Sequence, residues 1–140
     1  MNQIKSALLA LATFSSLAFG SEEEFLGWQS VTIKSPECIE TGVVTVEATT
    51  NGLSATKLSI EAFGRKTTLN DAQLKKLEGF PLSSCVLTHE AGYASLGGHT
   101  VHMKLKRSYH DPAKNLQREE QVIISVPKAA AASITTRDLP

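Results

Sequence analysis

The sequence predicts a mainly β domain, an antiparallel β-sandwich or partly open barrel of about seven strands with one short helix over about 71–78. Three observations carry this expectation. Several short segments alternate apolar and polar residues with a period of two, the mark of a half-buried strand. Glycine, proline and asparagine punctuate the chain between those segments. Only one segment after residue 20 carries the start and stop signals of a helix, so the strand–helix–strand rhythm of a parallel doubly wound sheet is missing.

The first twenty residues stand apart. Lys5 is followed by an uncharged, mostly apolar run from Ala7 to Phe19, and Ala18-Phe19-Gly20 places small residues where signal peptidase requires them. Residues 1–20 are therefore expected to be a signal peptide, and the protein secreted or periplasmic. The apolar run is too short for a comfortable membrane span, so no stable membrane insertion is expected after cleavage. Segment 1–20 contributes Lys5 alone to the charge, which leaves 13 basic and 14 acidic side chains in 21–140. That balance argues against nucleic acid as a partner. Residues 21–127 are expected to form one β-rich domain, and 128–140, with its four consecutive alanines, a flexible C-terminal tail.

Within 21–127 the expected elements follow in order. Ser21–Gly27 is a loose lead-in. Trp28–Lys34 alternates with Trp28, Val31 and Ile33 as apolar contacts and stops at Pro36. Val43–Thr49 is a β-branched strand, and Lys57–Phe63 its hairpin partner, with Leu58, Ile60 and Ala62 on one side. After a turn at Gly64–Lys66 comes a short strand, Thr67–Leu69. The helix follows: Asn70 suits an N-cap, Gln73 completes a capping box, Lys75 and Lys76 lie towards the C-terminal end, Gly79 suits the C′ position and Pro81 blocks continuation. Tyr109–Asn115 reads as a loop, and Glu119–Val126 as the last strand.

Between the helix and that loop lies the most informative stretch, Cys85–Arg107. Cys85–Glu90 suits a strand. His99–Arg107 alternates, with Val101, Met103 and Leu105 against Thr100, His102, Lys104 and Lys106. Residues 91–98 between them are turn chemistry. A register pairing Cys85 with Met103, Leu87 with Val101 and His89 with His99 keeps all the apolar residues on one face. It sets two imidazoles side by side. Lys104, Lys106 and Arg107 form a small basic stripe suited to solubility and protection of a sheet edge.

Two cysteines, Cys38 and Cys85, are present, and an even count in an exported chain favours a disulfide between them. That bond would also consume the thiol nucleophile. No catalytic constellation is apparent. Cys85 and His89 are roughly 13 Å apart along a strand, no G-x-S-x-G elbow occurs, and the glycines of 91–98 do not match a phosphate loop. The expected function is that of a small non-enzymatic binding protein that engages a protein partner through the 91–98 loop, with Tyr93 and Leu96 as anchors, as an inhibitor or an envelope accessory subunit. The alternative is a copper- or zinc-binding protein using the hairpin histidines His89 and His99. His102 lies an odd number of positions from His99 and faces the other way, so a third ligand has to come from elsewhere in the chain.

Overall fold

A computed structural model describes residues 28–52, 54–93 and 98–140. The expected signal peptide at 1–20, the lead-in at 21–27 and Leu96 lie outside the described residues. Among the described residues, eight strands form two four-stranded antiparallel sheets. The first contains β1 (Trp28–Lys34), β2 (Thr45–Asn51), β3 (Ser54–Ala62) and β4 (Arg65–Thr68). The second contains β5 (Val86–Glu90), β6 (Thr100–Asp111), β7 (Leu116–Pro127) and β8 (Ser133–Leu139). Spatial order follows chain order in both sheets. Of the two expected architectures, the sandwich is the one formed; the sheets do not close into a barrel.

The period-two pattern decides which face of each strand is buried. Val31 and Ile33 of β1, Val46 and Ala48 of β2, and Leu58, Ile60 and Ala62 of β3 join the core from the first sheet. Leu87 of β5, Val101, Met103 and Leu105 of β6, and Val122, Ile124 and Val126 of β7 join it from the second. Each fully buried aliphatic side chain contributes about 1.5–3 kcal/mol of transfer free energy, which makes this shared core the main source of cohesion. At the β3–β4 turn both Phe63 (φ 56°) and Gly64 (φ 69°) are left-handed. That is the twist a two-residue hairpin needs. Phe63 tolerates it because its ring packs against the core.

The segment between the sheets closes one side of the sandwich. Helix α1 (Asp71–Lys75) is shorter than expected, but its capping box forms. The Gln73 amide donates to Asn70 Oδ1 at 2.9 Å, and the Asn70 amide donates to Gln73 Oε1 at 2.9 Å. Leu69, Leu74, Leu77, Phe80 and Leu82 then carry the chain across the core. A 3-10 turn at Leu82–Ser84 leads into β5.

Four expectations change. Residues 128–140, expected as a tail without a partner, contribute β8, which pairs with β7 from Ser125↔Ser133 to Glu119↔Leu139. A mostly polar strand carries little periodic signal, and what recruits it is the open edge of β7. Tyr109–Asp111, expected to begin a loop, continues β6, and β7 begins at Leu116, so this hairpin runs beyond the core. The Asp111 carboxylate accepts from the Ala113 amide at 3.0 Å and supports the turn.

The β5–β6 register differs by two residues from the expected one. Leu87 pairs with Met103 and His89 with Val101. A slip of two preserves the inward face, so alternation alone does not distinguish the two registers. Finally, Arg107 is not part of a free basic stripe. Its Nε and Nη2 donate to Glu120 Oε2 at 2.8 and 2.7 Å, its Nη1 donates to the Glu78 carbonyl at 3.1 Å, and its guanidinium lies 4.5 Å from the Phe80 ring centroid. Nor is β6 an edge strand, since β5 and β7 flank it.

Candidate metal centre

β5 ends at Glu90, and its penultimate residue is His89. Beyond it the described chain continues to Tyr93, resumes at Gly98 and enters β6 at Thr100. The neck of this loop is tight: the Gly98 amide donates to the Tyr93 carbonyl at 2.9 Å. A Cβ on Gly92 would lie 2.5 Å from the Gly98 carbonyl oxygen, so glycine is required there. The Lys128 amide donates to the His99 carbonyl at 2.8 Å and fixes the end of the loop against the β7–β8 connection.

His89 and His99 come together as expected, through a different geometry. In the observed register they are diagonal rather than directly opposite neighbours, a separation that ring side chains still bridge. His89 Nε2 and His99 Nδ1 are 3.0 Å apart, and the rings stack with centroids 5.1 Å apart. At that distance one nitrogen carries the proton and the other presents a lone pair.

Candidate ligands beyond the hairpin come from the loop between β1 and β2. β1 is the edge strand of the first sheet and β5 that of the second. After β1 the chain makes a small loop closed by a bridge between Cys38 and Gly42, with the Gly42 amide donating to the Cys38 carbonyl at 2.7 Å. Gly42 takes φ +69°, the left-handed conformation that lets this loop turn back. The Ser35 amide donates to the Val44 carbonyl at 2.9 Å, and the Phe63 amide to the Thr41 carbonyl at 3.0 Å. These bonds hold the loop against the sheet.

Cys38 and Glu40, two positions apart, project from it towards β5. The Cys38 thiol donates to Glu40 Oε2 at 2.9 Å. Ligand atoms of Cys38, Glu40 and His89 all lie within 4.8 Å of one another. Ligands of one tetrahedral ion are about 3.3–3.8 Å apart, so closure needs side-chain movements of about an ångström. Sequence reasoning missed Cys38 and Glu40 in this role because they lie some fifty positions from the histidines. The signal available was Cys-x-Glu in a turn bounded by glycine.

Glu40 is ionised throughout the neutral range. The Cys38 hydrogen bond is the largest cause lowering its pKa; a backbone hydrogen bond and the nearby His89 and His99 act in the same direction. The group combines one thiol, one carboxylate and one imidazole at the protein surface, with Glu40 exposed and Cys38 and His89 half-buried; half-buried His99 touches His89 but lies outside the set of mutually close ligand atoms.

The expected disulfide is not formed: Cys38 and Cys85 are both free thiols. The reason is positional. Cys38 lies at the His89 end of β5, and Cys85 precedes the other end, roughly 13 Å away along the strand. Cys85 is buried in the core, and burial pushes its thiol pKa up to about 12. Of the other histidines, His110 lies near the far end of β6, roughly 33 Å from Thr100. His102 faces away from the centre, as expected.

His102 has its own network, which the sequence did not reveal. Its Nδ1 lies 2.9 Å from Ser125 Oγ and its Nε2 lies 2.8 Å from Glu90 Oε2. Hydroxyl, imidazole and carboxylate in series resemble a nucleophile–base–orienter chain. Yet Ser125 sits on a strand paired on both sides, so its amide is committed to the ladder and does not offer an oxyanion donor. The network bridges β5, β6 and β7. Tyr93 is 80% exposed, whereas its expected companion Leu96 lies outside the described residues. The chain matches no protein-family model, and searches of curated proteins and of solved structures give no match.

Proposed function

We propose that this is an exported protein that binds a transition-metal ion, copper or zinc, through Cys38, Glu40, His89 and His99. The observation that supports the reading is the convergence of Cys38 and Glu40, from the β1–β2 loop, with His89 of β5 within 4.8 Å. His99 touches His89 and stands ready as a fourth donor. Thiolate and imidazole suit copper and zinc, and a carboxylate is accepted by both. Binding displaces the proton of Cys38 and the proton shared by the imidazoles, so affinity falls with acidity. Export rests on the character of residues 1–20.

Isothermal titration and thermal melting with Zn(II), Cu(II) and Ni(II) test the reading. The expected result is one ion per chain and a raised melting temperature, with the affinity at least about tenfold weaker in Cys38→Ser and in His89→Ala. Binding unaffected by both substitutions, or no saturable binding, would refute it.

The exposed Tyr93 ring favours a second reading, in which the 91–98 loop contacts a protein partner. Tyr93→Ala should abolish capture of such a partner from the same compartment without changing metal affinity.

A further inference from the structure

We infer that the outer face of the first sheet binds an acidic sugar, a hexuronic acid unit of a polysaccharide, in a recess centred on Ser59. The recess shares no residue with the metal centre and does not depend on it.

The recess follows from the alternation that builds the core. On β1, β2 and β3 the residues between the core-facing ones point to the other side of the sheet. In cross-strand register Thr32, Glu47, Ser59 and Thr68 form one row over all four strands, and Ser30, Thr49 and Lys57 form a second row beside it. Together with Lys66 they line a hollow of about 310 Å³, the size of a small-molecule site. It reaches both edge strands, β1 and β4, so neighbouring units of a polymer leave the sheet at either side.

Ser59 is the short side chain at its centre. The Lys66 ammonium lies 3.6 Å from Glu47 Oε2, a pair that joins β4 to β2 across the intervening β3. Between such long neighbours Ser59 is only 6% exposed, although it faces away from the core. Its hydroxyl has no hydrogen-bond partner among the described residues, yet no unpartnered side-chain oxygen there is sealed from solvent, so the hydroxyl opens into the hollow. A hydroxyl held this way opposes folding and gains from a ligand that bonds to it.

Two features set the chemistry of the occupant. Every outward side chain lining the hollow ends in a hydroxyl or a charge. An apolar ligand has little to bury against there, whereas a sugar ring brings hydroxyls that both donate and accept. Lys66 is matched by Glu47, but Lys57 pairs with no carboxylate among the described residues. One ammonium is therefore left for one anionic group, and its bond to a carboxylate is charge-assisted. A bare oxyanion fits less well, because β2 and β3 are paired on both sides and their amides form no cradle facing the hollow. A hexuronic acid joins ring hydroxyls to a single carboxylate: the ring meets Ser59 at the floor, and the carboxylate meets Lys57 at the rim.

The test is isothermal titration of the purified protein with a galacturonic acid trimer in EDTA, which keeps the metal centre empty. The expected result is saturable one-to-one binding, weakened at least about tenfold in Lys57→Gln and about three- to tenfold in Ser59→Ala. The carboxyl-reduced trimer, neutral but otherwise the same, should bind the wild type at least about tenfold more weakly. That comparison needs no variant to fold.

No saturable binding of the acidic trimer, equal affinity for its reduced form, or binding indifferent to both substitutions would overturn the inference. So would displacement of the trimer by equimolar sulfate, the mark of a simple anion site. Each of these results leaves the metal-binding reading standing, and a failure to bind metal leaves the sugar site standing.

Discussion

Cys38 and Cys85 share a side chain and little else. Cys38 lies in a surface loop, with its thiol bonded to a carboxylate and close to an imidazole. Cys85 is enclosed by apolar neighbours, and desolvation of its thiolate raises its pKa from 9.0 to about 12. A folded-state pKa above the unfolded one means that the unfolded chain releases its proton first as the pH rises. The stability associated with Cys85 is therefore fully present below about pH 9 and is lost from there towards about pH 12, by up to about 1.4 kcal/mol per pH unit. Urea midpoints measured upward from pH 9 should fall more steeply for the wild type than for Cys85→Ala. Parallel profiles would show that the thiol is not desolvated. Tyr93 and Gly92 differ in a similar way: the ring faces solvent, while the glycine is needed for a backbone contact across the loop neck.

Among the elements, helix α1 is too short to be stable alone, and two devices hold it and its exit segment. Its capping box satisfies backbone donors within the helix. Arg107 then reaches from β6 to Glu120 on β7, to the Glu78 carbonyl just after the helix, and to the face of Phe80. The Arg107 and Glu120 side chains are only 37% and 21% exposed, so their ion pair, two guanidinium donors on one carboxylate oxygen, is screened less than a surface ion pair. Arg107→Ala should cost about 1–3 kcal/mol in chemical denaturation, combining the ion pair, the cation–π contact and the lost packing. Arg107→Lys should recover less than half of that loss, since a lysine does not reach Glu120 and the Glu78 carbonyl at once with a planar fork. A loss under about 0.5 kcal/mol, as at an ordinary surface site, would count against the clamp.

At the scale of the molecule, each sheet is a meander with its own edges, and those edges are handled differently. The β1–β2 loop and the end of β5 together carry the candidate metal centre. β8 covers β7, buries Ile134 against the core, and adds an Arg137–Gln121 pair at 2.8–3.0 Å. Arg65 of β4 donates to the carbonyls of Pro127 and Ala130 at 2.6 and 3.1 Å, tying the approach to β8 to the first sheet. Ending the chain after Ala132 should leave that tie intact while exposing the ladder edge of β7. The expected outcome is a loss of about 1–3 kcal/mol from the unburied apolar contact, with self-association visible by light scattering because an unprotected edge templates pairing. A monomeric truncation of unchanged stability would show that β8 is dispensable.

The sequence by itself determined the class of fold, most strand positions, the capped helix, and the inward faces of β1, β3, β6 and β7. These are local matters: a period of two, β-branched residues and turn chemistry act through near neighbours. It also brought His89 and His99 together, because a hairpin joins residues close in sequence. Only the tertiary structure decided the two-residue shift in the β5–β6 register, since either register hides the same side chains. It recruited β8 from a segment without strong periodicity, because an open edge supplies a ladder whatever the side chains. It also placed Cys38 and Glu40 beside His89 rather than Cys38 beside Cys85. Which loop meets which strand end depends on how two sheets pack over a shared core, and no spacing within either sheet encodes that meeting.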